Sequence, residues 1–232
     1  MSIQEVEVTL EELQSLDQDQ ILSSCKSPVY YELESAFGSI KGSNAAKLLS
    51  ATCSMHLKPE NPKAPFSPKF IMQDRRGLIA NDFSKESLNA LSQFCHSVTI
   101  PELQARLADI SWVTKVGSVE HAYIAIEAYL ESAKQLLAVG ESWVYPAERI
   151  ERALRLSCMF RRDTQRPDLF EKLAGFIKSE IDSKKLDDSP FYALRLLKLS
   201  HECGVGDDDW ILNTAEEIAQ TCFELGDTRT AI

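Results

Sequence analysis

Apolar and charged residues between Glu102 and Leu137 recur with the period of an α-helix, but not in a single stripe. On a wheel at about 100° per residue, Leu103, Leu107, Ile110 and Thr114 share one side, and Ala105, Ala108, Trp112 and Val116 lie nearly opposite. Glu102, Arg106 and Asp109 fill one strip between them, and Gln104, Ser111 and Lys115 fill the other. Two apolar stripes require two packing partners. The next helix differs, because Ala122, Tyr123, Ala125, Ile126, Tyr129, Leu130, Ala133, Leu136 and Leu137 make one broad apolar face, while Glu120, Glu127, Glu131 and Lys134 mark a solvated back. A helix packed on both sides, beside one that is wet on its back, is the pattern of stacked helical hairpins.

The helical period runs through most of the chain. Thr9 followed by Glu12 is a capping box that opens TLEELQSLDQDQILSS. PVYYELESAF, SNAAKLLSATCSMHL and the segment Ser84 to Ser97 read as further helices, and Thr99-Ile-Pro-Glu102 reads as a second capping box with proline in the first turn. Beyond it, helices are expected at 100–115, 119–139, 146–161, 168–182, 190–203 and 208–225, punctuated by Gly117, Gly140, Pro146, Pro167, Pro190, Gly204, Gly206 and Gly226. Connections this short make antiparallel neighbours. Residues 59–83 hold four prolines and one glycine without a stable period, and read as a long irregular connector. The expected organisation is therefore an N-terminal helical subdomain over 1–58, a proline-rich connector over 59–83, and a helical-hairpin array over 84–232.

Internal similarity supports an array. ALRL occurs at 153–156 and again at 193–196, a shift of 40 residues, and periods of this size belong to helical solenoids. Charge narrows the choice of partners: 35 acidic against 25 basic residues leave a net charge of −10, a field that repels polyanions and makes nucleic acid a poor first partner. No run approaches the roughly 18 consecutive apolar residues of a membrane span, and the N-terminus MSIQEVEVTLEELQ is acidic where a signal peptide would be basic and then apolar. A cytoplasmic protein is expected. The six cysteines are scattered without a CxxC pair, and several fall on apolar helical faces, where reduced thiols pack as small hydrophobes.

Two stretches resemble known families. AEEIAQTCFELGDTRTAI resembles a tetratricopeptide repeat from the middle of its first helix into the start of the second, with Ala215, Ala219, Gly226, Asp227 and Ala231 at that family's small positions and Gly-Asp turn. The likeness implies an array of antiparallel hairpins in a right-handed solenoid, cut off as its next helix begins. A longer stretch, residues 65–137, is similar to the N-terminal helical region of a group of poorly characterised bacterial proteins, through Arg76, Asp82-Phe83, Pro101-Glu102-Leu103, Ala105 to Asp109, Trp112 and Ala128-Tyr129-Leu130. Members of that group continue into a HEPN-type domain with an Arg-Asn-x-x-x-His motif, associated with RNA cleavage and phage defence. Here no arginine is followed five positions later by histidine, and Arg195 with His201 misses by one. The resemblance thus implies the regulatory or recognition part of a larger protein.

Candidate chemistry is sparse. Glu102, Arg106 and Asp109 stand at i, i+4 and i+7, so Arg106 can bridge two carboxylates, either as a structural ion network or as a clamp for an anion. The network is the preferred reading, because two acids already occupy the guanidinium. Arg149, Arg152, Arg155, Arg161, Arg162 and Arg166 form a basic cluster interleaved with five acids between 148 and 171, which reads as a solvated, salt-bridged face before it reads as an RNA surface. Arg75-Arg76 in the connector is a smaller basic spot. His56, His96, His121 and His201 form no HxxxH or HExxH pair, and His201 with Cys203 is too close for a helical ligand pair on one face, so no metal ligands are assigned; a nucleophilic cysteine would need a nearby base, and Cys95 and His96 are merely adjacent, which points them apart on a helix. GxGxxG, GxxxxGK[ST] and GxSxG are all absent, and no cofactor is expected. The reading is an all-α protein without catalysis of its own, which binds a protein partner or a downstream domain. Its weak interaction candidates are Arg75, Arg76, Arg106, Asp109, Arg152, Arg155 and Arg162. The alternative is an RNA-contacting accessory domain of a HEPN-type ribonuclease system.

Overall fold

A computed structural model describes residues 7–59, 70–159, 166–183, 190–224 and 226. The chain forms two compact units, Met1–Glu141 and Ser142–Ile232. Both are built of packed helical hairpins, and the fold is all-α apart from one short pair of strands.

The first unit begins with α1 (Leu10–Gln14), and its Thr9–Glu12 capping box forms in both directions, at 3.2 and 2.8 Å. α2 (Gln18–Ser23), α3 (Tyr30–Ser39) and α4 (Asn44–Cys53) come next, each of the last two contributing a buried stripe, Leu33 with Phe37 and Ala45, Ala46, Leu48, Leu49 with Cys53. After α4 the chain does something that its periodicity does not reveal. β1 (His56–Pro59) pairs antiparallel with β2 (Phe70–Gln73), in register Leu57 to Met72. The expected irregular connector therefore contains a strand, and a proline at the end of β1 is tolerated because both strands of a two-stranded sheet are edges. Residues 60–69 lie outside the described residues. Asp74 then folds the chain through a tight turn, its Oδ1 accepting from the backbone N–H groups of Arg76 and Leu78, both at 2.9 Å.

α5 (Lys85–Phe94), α6 (Pro101–Val113) and α7 (Val119–Ala138) complete this unit. α5 packs on α1, and α6 packs on α4, α5 and α7, so segments on both sides of residues 59–83 share one core. The break between compact units falls after Glu141, well inside the expected 84–232 array, because α7 packs along the whole of α6 and so belongs to the first core. α6 is enclosed nearly all round: every residue from Glu102 to Ser111 except Gln104 is buried. The second expected capping box does not form. Glu102 turns into the core, no side chain caps the N-terminus of α6, and Gln18 of α2 accepts from the Thr99 N–H (2.8 Å) and hydroxyl (3.2 Å) instead.

The second unit holds α8 (Val144–Cys158), α9 (Pro167–Asp182), α10 (Pro190–Cys203) and α11 (Asp208–Glu224). α8 packs on both α9 and α10, and α10 packs on α11. Prolines open α9 and α10 as the sequence predicts, and Gly204 and Gly206 adopt positive φ between α10 and α11. The two ALRL copies fall on α8 and α10, and their arginines meet one acceptor: Glu151 Oε1 lies 3.0 Å from Arg155 and 2.8 Å from Arg195. α11 is packed lightly, with Ile211 and Cys222 its buried side chains. Of the residues that carry the tetratricopeptide likeness, Ala215, Ala219 and Gly226 are described, while Asp227 and Ala231 lie outside the described residues.

Candidate functional site

The charged strip of α6 is the most enclosed group of ionisable residues in the first unit. Glu102 and Asp109 are wholly buried and Arg106 nearly so. Arg106 Nε donates to Glu102 Oε1 at 2.6 Å, its Nη1 donates to the Met55 carbonyl at the end of α4, and its guanidinium stacks 5.1 Å from the Tyr30 ring centre. Glu102 Oε2 also accepts from the Ser132 hydroxyl (2.7 Å), while Asp109 Oδ2 accepts from the Tyr129 hydroxyl (2.9 Å). The geometry shown for Arg106 thus joins α3, α4 and α6, and Ser132 and Tyr129 lie on one face of α7 at i and i+3. Burial pulls the guanidinium down, but Glu102 beside it, followed by Tyr129 and Cys53, outweighs this and holds Arg106 above its ordinary range. The guanidinium is thus held within the fold by a carboxylate, a carbonyl and a ring face.

Arg75 and Arg76 sit on the turn that succeeds β2, with more than half of each side chain in water. Arg75 reaches Glu34 at 3.7 Å, and Arg76 pairs with the buried Asp74 at 2.7 Å. Arg76 thus braces the turn, while Arg75 reaches across to α3.

The basic cluster differs from its expected solvated state. Arg149, Arg152 and Arg155 are each 2% exposed or less. The spacing of three places these arginines along one broad side of α8, and α8 packs on α9 and α10, so the arginines are drawn inside with their partners. Arg149 donates to the Tyr145 carbonyl (3.2 Å) and to Glu148 (3.0 Å), and Arg155 donates to Glu151 (3.0 Å). Arg166, nearer the surface, holds the Asp168 carboxyl below its ordinary range through a hydrogen bond at 3.2 Å. Arg161 and Arg162 lie outside the described residues.

Sequence spacing also misses a convergence of metal-capable side chains. Cys95, His96 and His121 place a ligand atom each within 4.8 Å of one another. Adjacent Cys95 and His96 come together because the backbone tightens into a 3₁₀ turn at Cys95–Ser97, and His121 approaches from the first turn of α7. Two of the three side chains, His121 and Cys95, also make hydrogen bonds within the fold. His121 Nδ1 accepts from the Ser118 N–H (3.1 Å), so the proton of the ring sits on Nε2, 2.9 Å from the Ser92 hydroxyl. The Cys95 thiol donates to the Ser92 carbonyl, and burial pushes it up to about 11.

Two features of the second unit remain open to solvent. One is an apolar strip along α11, in which Leu212 is 55% and Phe223 64% exposed, with half-buried Ala219 between them at i, i+7 and i+11. The acids Asp208, Asp209 and Glu216 border this strip on the helical wheel. The other is a cleft lined by α9, the α10–α11 connection and Trp210.

No curated protein and no solved structure matches the chain. A family model described as Domain of unknown function (DUF7380) matches residues 3–169, which takes in the buried α6 network, the arginines of α8 and the first turn of α9. The match covers well over half of the sequence, and the chain belongs to this DUF7380 family.

Proposed function

We propose that this protein is a non-catalytic helical interaction module, whose second unit presents α11 to a protein partner. The observation that supports this most directly is the acid-bordered strip Leu212, Ala219 and Phe223. Full burial of a leucine or phenylalanine stabilises by roughly 1.5–3 kcal/mol, so leaving both in water forgoes a gain that a partner can recover. The acidic border favours a basic amphipathic helix as the complementary surface. The buried state of the Glu102–Arg106 pair and of Arg149, Arg152 and Arg155 supports the same reading, because these charged side chains are engaged inside the fold. The tetratricopeptide likeness of residues 215–232 and the likeness of residues 65–137 to proteins with a HEPN-type domain extend the proposal to a regulatory part of a larger bacterial protein acting in phage defence.

The proposal is tested by placing a photo-crosslinking amino acid at Phe223 in the producing cell and identifying what is captured. A discrete protein partner, lost when Leu212→Glu is introduced beside it with the melting temperature unchanged, is expected. Retention of the same captured partner in the Leu212→Glu chain would contradict it.

A further inference from the structure

Cys95, His96 and His121 converge in the first unit, where the 3₁₀ turn after α5 meets the first turn of α7. Among the described residues, this is the group of histidine and cysteine donors whose ligand atoms all lie within 4.8 Å of one another. Cys95 and His121 are buried, whereas His96 is exposed and sets its ring edge-on to that of His121, 5.2 Å between centres. The group thus has two fixed inner arms and one outer arm in water.

The inner arms share an acceptor. The Cys95 thiol and His121 Nε2 lie 3.1 and 3.3 Å from the Ser92 carbonyl oxygen, and Nε2 is also 2.9 Å from the Ser92 hydroxyl. Two removable protons therefore point at one oxygen, from atoms that become metal ligands once those protons leave. A sulfur with two imidazole nitrogens is a donor set that suits zinc and its d-block neighbours, and without a carboxylate it does not suit magnesium or calcium. Around tetrahedral zinc, with bonds of about 2.3 Å to sulfur and about 2.0 Å to nitrogen, ligand atoms stand about 3.3–3.7 Å apart. Closing to that spacing from the widest separation takes a movement of roughly 1–1.5 Å, which the exposed His96 side chain is free to supply.

From this arrangement we infer that Cys95, His96 and His121 bind one divalent d-block cation of the zinc class, which clips the start of α7 to the turn after α5. The site does not depend on the reading of α11. Binding has a definite proton balance. Cys95 gives its proton to solvent and ligates as thiolate, because the cation supplies the charge that a buried thiolate otherwise lacks. His121 ligates through Nε2, the nitrogen beside the Cys95 acceptor, so its proton passes to Nδ1 and the ring turns away from the Ser118 N–H that Nδ1 accepts from in the free protein. One proton is released per cation. The lost Ser118 bond weakens binding by about tenfold, a small part of the affinity that cysteine and histidine ligands have for zinc. Three protein ligands leave a fourth position for water.

The test titrates the full, reduced chain with cobalt(II) and then with zinc(II), in a buffer without chelating thiols. Cobalt is expected to saturate at one ion per chain, with the intense visible bands of tetrahedral geometry and a near-ultraviolet sulfur-to-cobalt charge-transfer band, and zinc should bleach both. Cys95→Ser should lose the charge-transfer band. His96→Ala, a change at an exposed side chain, should keep its metal-free melting temperature and bind zinc at least tenfold more weakly. His201→Ala and Cys25→Ser lie outside the group and should bind zinc as the wild type does. Zinc should also move the Ser118 amide resonance in NMR spectra, reporting the opened bond. The inference is overturned if cobalt gives no saturable spectrum, if the charge-transfer band is absent from the wild type or survives in Cys95→Ser, or if His96→Ala binds zinc as tightly as the wild type. Should Cys95→Ser fail to fold, His96→Ala decides alone.

Discussion

α6 and α11 have similar sequence credentials and opposite fates. Each is amphipathic in a way that leaves two stripes to cover, and each carries acids beside small and aromatic residues. In α6 both apolar stripes and the charged strip between them are buried, because α4, α5 and α7 surround it. In α11 only the stripe of Ile211 and Cys222 finds a partner in α10, and Leu212 and Phe223 stay in water. Charge along a helix therefore does not report exposure. The number of helices packed around it does, and a carboxylate enters the core when a guanidinium and hydroxyls from neighbouring helices enter with it.

The comparison breaks most severely at Arg106. Replacing it with methionine leaves Glu102 buried without its cation, and a loss of about 3–5 kcal/mol is expected from such half-removal of an enclosed pair, read as a lowered urea midpoint. A smaller loss is expected at Gly117, where an added Cβ would stand 2.6 Å from the His121 ring. Gly117→Ala must push that ring from its Ser118 and Ser92 bonds, costing about 1–3 kcal/mol, and a thermal melt checks it.

The helices α6 to α11 are legible in the sequence because glycine and proline punctuate a strong 3.6-residue period, and their observed bounds lie within a few residues of those expected. β1 and β2 are not, because each is four residues long, too short for alternation to stand out. The network around Arg106 is only half legible: the Glu102 contact is local, whereas Tyr30, Met55, Tyr129 and Ser132 are distant in sequence and appear only when α3, α4 and α7 close on α6. The buried arginines of α8 read as solvated because no feature within one helix records that α9 and α10 will cover it.

Acidity offers a gentler probe of the same first-unit cluster. His56 packs edge-on to Tyr30 (5.5 Å), and burial, then Arg106 and Arg75, hold its imidazole below the ordinary 6.5. Above that value both folded and unfolded chains keep it neutral, and its full contribution to stability is present. As pH falls below 6.5 the unfolded chain takes the proton first, so stability is lost until the lowered folded value is passed. His56→Gln should flatten this part of the stability–pH curve, measured by urea denaturation at successive pH values.

The smallest effect on stability is expected at α11, where the doubly substituted chain Leu212→Glu and Phe223→Glu should unfold within about 0.5 kcal/mol of the wild type, since neither side chain is packed. Urea denaturation of this chain beside Arg106→Met decides whether the charged strip serves the fold while the apolar strip stays free for a partner. The account predicts a large fall in midpoint for Arg106→Met and almost none for the α11 double substitution. An unchanged midpoint for Arg106→Met, or collapse of the α11 variant, would contradict it.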